Sequence, residues 1–219
     1  MSARRAAVLF DLDGCLVDSR AGILASVHVA MAVCGLPAMP DPELEWLIGP
    51  PLRTGFADLC RRAGVDDHGG AMAQALLDAY RADYHDTMLD HTPLVPGVEE
   101  LLRRLAGDRP IGIVTSKPRV LAVDILEHHE LMPLMSVVEG PSFDEADEPK
   151  TDTLARALST VAPASTMVGD RHHDIDAGRA HGLRTIGVTW GIGSAAELGE
   201  AGADAVVDSV PALEEELLR

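Results

Sequence analysis

Val8-Leu9-Phe10-Asp11-Leu12-Asp13-Gly14-Cys15-Leu16 is an apolar run of strand type that stops on two carboxylates one residue apart and then on glycine. In an open parallel α/β sheet, ligands bind just beyond the carboxyl ends of the strands, so Asp11 and Asp13 are expected at the mouth of such a site. Two bare carboxylates at close range repel by about 1 kcal/mol in water and by about 4 at an effective dielectric of 20. A cation is therefore expected between them, and a hard divalent ion with oxygen ligands, Mg²⁺ above all, suits a site that also takes phosphate. Asp-x-Asp after a strand also serves as a plain turn or helix cap. Its meaning depends on what the remaining chain brings beside it.

The remaining chain has 219 residues, 47% of them apolar, which is enough for one large domain or a medium domain with an insert. With 3 Phe, 2 Trp and 2 Tyr, its core must be built from aliphatic side chains, and no stacking platform for bases is evident. The formal charge of −17 opposes nucleic acid and anionic membrane surfaces, leaving small diffusible partners. An anionic substrate would then need a local positive site made from a metal, a lysine and helix N-termini. Cys15, Cys34 and Cys60 are odd in number and lack metal-type spacing, which fits reduced thiols in a cytoplasmic protein. Met1 to Arg5 has no apolar leader core, and no later stretch has membrane length.

From Ser19 to about Asp90 the pattern is helical throughout and reads as an insert, with 1–18 and 91–219 forming an α/β core and 19–90 a helical cap. Helices are expected over Ser19–Val33, Pro42–Trp46, Leu52–Arg62 and Ala71–Leu89, punctuated by Gly35, Pro37 and the Gly49-Pro50-Pro51 bend. From Pro93 helices and strands alternate: strands at Ile111–Val114, Ser136–Val138, Thr166–Val168, Thr185–Val188 and Ala205–Val207, with helices at Val98–Leu105, Arg119–His129, Thr151–Leu158, Ile175–Ala180 and the C-terminus. Such repetition predicts a doubly wound parallel sheet with helices on both faces, a Rossmann-like core. The acidic run Phe143–Pro149 reads as a solvated loop.

Three later segments fall where this sheet would present them beside Asp11. Thr115-Ser116-Lys117-Pro118 follows the strand Ile111–Val114, where hydroxyls and a helix N-terminus can donate to phosphate. Lys150 is one of two lysines in a chain with 16 arginines, and a compact ammonium suits a phosphate oxygen shared with carboxylates, though a surface lysine starting a helix is equally ordinary. In Met167-Val168-Gly169-Asp170-Arg171-His172-His173-Asp174, a strand again ends on Asp, with a second Asp four residues on, suiting a metal ligand and a supporting carboxylate.

In this order the four segments resemble the haloacid dehalogenase superfamily of phosphatases, and the resemblance spans essentially the whole chain. The helical insert resembles its helical-cap branch. Ile48–Leu52, Thr115–Pro118 and Ile186–Gly191 look most like phosphoglycolate phosphatases. The resemblance implies a Mg²⁺-dependent phosphomonoesterase for a small phosphorylated metabolite. Asp11 would be the nucleophile and Asp13 the general acid and base. Thr115, Ser116 and Lys150 would hold the phosphate; Asp11, the main-chain carbonyl of Asp13 and Asp170 would hold the metal, with Asp174 behind it. Cys15 stands where the family usually has Thr, and Arg171 where a small residue is common.

A hexose phosphomutase, a 5′-nucleotidase or a catalytically silent regulator would share this core. Asp13 argues against dehalogenation, which needs no group to protonate an alkoxide. The absence of lysine between Ser19 and Asp90 argues against phosphonate hydrolases that form a Schiff base. A receiver domain also clusters Asp, Thr and Lys, but it lacks an insert after the first strand. His128-His129 and His172-His173 lack zinc-ligand spacing, and Gly187–Gly193 lacks a dinucleotide turn. Arg53, just after Gly49-Pro50-Pro51, is the candidate for clamping a substrate carboxylate. The number of subunits is left open.

Overall fold

The computed structural model describes residues 6–49, 52–143, 148–161 and 166–218. Pro50 and Pro51 of the expected bend, and Asp144 to Asp147 of the acidic run, lie outside the described residues. The chain separates into two compact units, one of residues 1–18 with 94–219 and one of residues 19–93.

The first unit is built on a six-stranded parallel sheet in the order β3-β2-β1-β4-β5-β6. Its strands are β1 (Val8–Phe10), β2 (Ile111–Val114), β3 (Met135–Glu139), β4 (Thr166–Gly169), β5 (Arg184–Val188) and β6 (Ala205–Val207). Every residue of β1, β2 and all but the first of β4 and β5 is buried, as expected where both sheet faces are covered and a strand reads as continuous aliphatic sequence rather than as an alternation. On one face, Leu9, Val114, Val137 and Met167 pack with Leu154 and Ala157 of α6 (Lys150–Thr160) and Ala177 of α7 (His172–Ala180) in one cluster. Burying each large aliphatic there contributes roughly 1.5–3 kcal/mol. The other helices of this unit are α4 (Val98–Ala106), α5 (Arg119–His128), α8 (Ala195–Glu200) and α9 (Val210–Leu218).

The strand order places the switch point at β1. After β1 the chain goes to β2 and β3 on one side, then returns to β4, β5 and β6 on the other. Ile113 of β2 and Val168 of β4 flank Phe10 in register. The carboxyl ends of β1, β2 and β4 are thus neighbours, and these are the strands followed by Asp11, Thr115 and Asp170.

The second unit holds α1 (Arg20–Val33), α2 (Leu52–Arg62) and α3 (Ala71–Thr87), and no strand among its described residues. Pro42–Trp46 forms two short 3₁₀ turns, Asp41–Glu43 and Glu45–Leu47, instead of one helix. The Ala71–Leu89 helix ends at Thr87 and passes into a 3₁₀ turn over Met88–His91. α3 packs against both α1 and α2. The Tyr80 ring lies 5.9 Å edge-on from Phe56 and stacks 5.2 Å from Tyr84, so three of the chain's few aromatic rings hold one junction. The buried Ser26 hydroxyl donates to Asp83 at 2.7 Å across α1 and α3. No helix among the described residues is long and apolar enough to cross a membrane.

Candidate active site

Asp11 is the first residue after β1, and its N–H donates to the Val168 carbonyl at 2.8 Å, extending the β1–β4 ladder to the point where the side chain leaves the sheet. Asp170 follows β4, and Asp174 lies in the first turn of α7. Asp11, Asp170 and Asp174 are all buried, and each offers a carboxylate oxygen within 4.8 Å of the others. Lys150 opens α6 as a buried residue, not a surface one. Its Nζ is 2.7 Å from Asp11 Oδ1 and also pairs with Asp174 Oδ1.

The electrostatics show what this cluster lacks. Burial, chiefly, and repulsion from Asp174 and Asp170 outweigh the attraction of Lys150 and push the Asp11 carboxyl up to about 8. Burial and Asp174 likewise raise Asp170 to about 7, against the N–H of Ile192, Lys150 and Arg171. Burial alone would lower the Lys150 ammonium, but Asp11 and Asp174 more than compensate and hold it above its ordinary value. One ammonium therefore does not neutralise three buried carboxylates. Asp170 Oδ2 accepts the Ile192 N–H at 2.7 Å, while Asp170 Oδ1 is buried with no hydrogen-bond partner. A buried, partnerless oxygen in a set of oxygen-only donors fits a hard divalent cation such as Mg²⁺. Among the described residues this is the one cluster of three or more acidic, histidine or cysteine side chains able to hold a metal. His172 and His173 do not join it. His172 Nδ1 instead lies 2.9 Å from Glu197.

Gly14 is shaped by the same cluster. Its φ is +80°, a left-handed conformation, and a Cβ there would lie 2.8 Å from Asp170 Cγ and closer still to Oδ2. Gly14→Ala is expected to displace the Asp170 carboxylate and cost about 1–3 kcal/mol. Thermal unfolding should show the destabilisation, and Mg²⁺ should restore less of it than in the parent chain; an unchanged melting temperature would reject the close fit.

Thr115 is buried directly after β2, and its Oγ1 accepts the Lys117 N–H at 3.1 Å; Ser116 is half-buried. Asp13 is half-buried, with its Oδ1 3.1 Å from Lys117 Nζ. Lys117 is thus a second buried ammonium at the strand ends, named in the sequence only as part of the Thr115–Pro118 motif. Cys15 is buried with Sγ 3.9 Å from the Val168 carbonyl, and burial, then Asp11, pushes its thiol well above the ordinary range, so it remains a neutral filler. Arg53 lies exposed in the first turn of α2.

Arg171 is half-buried rather than freely solvated. It is the N-cap of α7, where its N–H donates to Asp174 Oδ2 at 3.0 Å, and its Nε donates to Glu197 at 2.9 Å. Glu197 also accepts the His172 N–H at 3.0 Å. Burial works against its carboxylate, yet these bonds from His172 and Arg171 win and bring it down to about 2. Glu197 belongs to α8, a helix absent from the sequence reading. Its signal is Ser194 three residues before Glu197, and the Ser194 hydroxyl indeed accepts the Glu197 N–H at 3.1 Å. The Glu197 carboxylate reaches across to the N-terminus of α7, fixing the turn that carries Asp170 and Asp174.

Residues 8–188 match the family model for haloacid dehalogenase-like hydrolases. The tyrosine-protein kinase PtkA of Mycobacterium tuberculosis is 37% identical over 193 residues, 86% of this chain. The chain spans only 63% of the length of that relative. A 5′-nucleotidase of Pseudomonas aeruginosa is 34% identical over 87% of this chain and 86% of its own. Among solved structures, a predicted phosphatase from Clostridium acetobutylicum superposes with a TM-score of 0.87 at 32% identity, covering 99% of both chains. With acidic residues ending β1 and β4, a hydroxyl ending β2 and a lysine opening α6, matched over residues 8–188, the chain belongs to the haloacid dehalogenase-like hydrolase family.

Proposed function

We propose that this chain is a Mg²⁺-dependent phosphomonoesterase that cleaves a small phosphorylated metabolite through an aspartyl phosphate on Asp11. The observation that carries this reading is the buried trio Asp11, Asp170 and Asp174 with Lys150 Nζ 2.7 Å from Asp11. In the first half-reaction an Asp11 carboxylate oxygen attacks phosphorus, the bond from phosphorus to the ester oxygen breaks, and Asp13 gives its proton to the departing alkoxide. In the second, water attacks the same phosphorus, Asp13 takes the proton, and the bond between Asp11 and phosphorus breaks. Thr115, Ser116 and Lys150 would steady the phosphoryl oxygens. Asp11, the Asp13 main-chain carbonyl and Asp170 would hold Mg²⁺, with Asp174 orienting them; the ion supplies charge neutralisation around the phosphoryl group.

Phosphoglycolate phosphatases are among the relatives, and the motif at Thr115–Pro118 favours that substrate class. A 5′-nucleotidase is the alternative that a 34%-identical relative supports. The three cysteines are free thiols, in keeping with a reducing compartment such as the cytoplasm. Phosphate release from phosphoglycolate, sugar phosphates and nucleoside monophosphates, with Mg²⁺ or EDTA, tests the reading. Mg²⁺-dependent release supports it, and the best substrate names the subgroup. Isomerisation of a hexose phosphate without release would make the chain a mutase. Transfer from ATP to a tyrosyl peptide would align it with the kinase relative, and inertness in all assays would leave a silent regulator.

Arg53 is the proposed recognition residue for a substrate carboxylate. A charge-assisted bidentate bond of about 1.5–3 kcal/mol predicts that Arg53→Ala raises KM for phosphoglycolate tenfold or more while leaving uncharged alkyl phosphates unchanged. Equal effects on both classes would refute the role.

A further inference from the structure

Lys117 is used by no step above, yet it is buried and its ammonium lies 3.1 Å from Asp13 Oδ1, with only 5% and 18% of the two side chains exposed. The turn that carries it is fixed on both sides. Its N–H donates to Thr115 Oγ1, so the same hydroxyl anchors the lysine backbone. Its carbonyl lies so close to Gly140, just after β3, that a Cβ there would approach to 2.5 Å. The Arg119 N–H then donates to the Pro141 carbonyl at 2.9 Å. A long, flexible side chain is thus launched from a rigid base toward the carboxylate assigned to proton transfer. Asp13 itself follows the end of β1, where its χ angles are not held by a regular element.

We propose that Lys117 is a positioning residue that holds the Asp13 carboxylate in the orientation needed for proton transfer. The inference rests on the phosphoryl-transfer reading above and deepens it. Misplacing a reacting group by about 1 Å can cost about 10²-fold in rate, so releasing Asp13 should slow the steps in which it moves a proton and spare those in which it does not. That distinction separates positioning from phosphate binding. An ammonium that merely held phosphate would matter equally for every ester.

The test is the leaving-group dependence of kcat/KM, which reports steps up to the first irreversible one, for a primary alkyl phosphate and for p-nitrophenyl phosphate at saturating Mg²⁺. The nitrophenolate leaves without a proton; the alkoxide does not. Asp13→Asn should lower kcat/KM for the alkyl ester far more than for the aryl ester. Lys117→Met should follow it, with a loss of about 10–100-fold for the alkyl ester and less than about threefold for the aryl ester, and Lys117→Arg should recover part of the loss. Should Lys117→Met not fold, Gly140→Ala, which must push on the Lys117 carbonyl, is read by the same ratio. Selectivity in Asp13→Asn without selectivity in the Lys117 or Gly140 variants overturns the inference alone. No selectivity in Asp13→Asn overturns the role of Asp13, and the inference with it.

Discussion

Asp11→Asn is expected to lower phosphate release by about 10⁴-fold or more while leaving the chain folded. An amide oxygen cannot form the acyl phosphate, and no other carboxylate follows β1 at the same point of the sheet. Asp170 and Asp174 leave from the end of β4 and from α7, and their oxygens face Asp11 rather than replace it. The fold should survive because the substitution preserves shape, and because burial, chiefly, already pushes the native carboxyl up toward its uncharged form. The amide also retains an oxygen toward Lys150. Melting in EDTA at pH 7 should therefore change little, whereas a short incubation with substrate carrying labelled phosphorus, quenched in acid, should leave label on the parent protein and none on the variant. Label retained on Asp11→Asn would mean that another residue accepts the phosphoryl group.

The legibility of this site in the sequence follows from which interactions are local. Asp11, Thr115 and Asp170 are each announced by an apolar run that ends on them, since both faces of a central parallel strand are buried and its composition is nearly pure aliphatic. Alternating strands and helices then imply the parallel sheet, and the connection rules bring those strand ends together. Lys117 was visible as one of two lysines, but its partner is distant in sequence, and the direction of its side chain depends on a turn clamped by Thr115 and by Gly140 beyond β3. Nothing local encodes that clamp. Helix α8 was lost for a different reason: six residues carry too little helical period to stand out behind a glycine-rich stretch, although the Ser194 cap was there to be read. Lys150 admits two ordinary readings in the sequence, and its burial against two carboxylates is visible only in the folded chain.

Metal affinity should depend steeply on pH, and in a direction that the buried carboxylates dictate. Without metal, Asp11 and Asp170 are raised to about 8 and about 7, mainly by burial, and these two steps belong to the interacting cluster rather than to either residue singly. A cation binds the ionised cluster, so below pH 7 its entry must expel about two protons, and between 7 and 8 about one. Taking the cluster from pH 9 to pH 6 should therefore weaken Mg²⁺ binding by roughly 10³-fold, with the slope fading above pH 8. The same shifts fix the sign of the stability change in EDTA. Between the unfolded carboxylate range near 4 and the folded value near 8, the native state holds more protons than the unfolded chain, so stability falls as pH rises through that window. Saturating Mg²⁺ should remove or reverse that fall, because the ion binds the native, deprotonated cluster. Titration calorimetry in two buffers of different ionisation enthalpy counts the released protons, and melting curves from pH 5 to 9 with EDTA or Mg²⁺ read the stability. A flat affinity with no proton release would mean that Lys150 already keeps the trio ionised. In that case three buried carboxylates facing one ammonium, together with the partnerless oxygen of Asp170, would still call for a cation at the ends of β1 and β4.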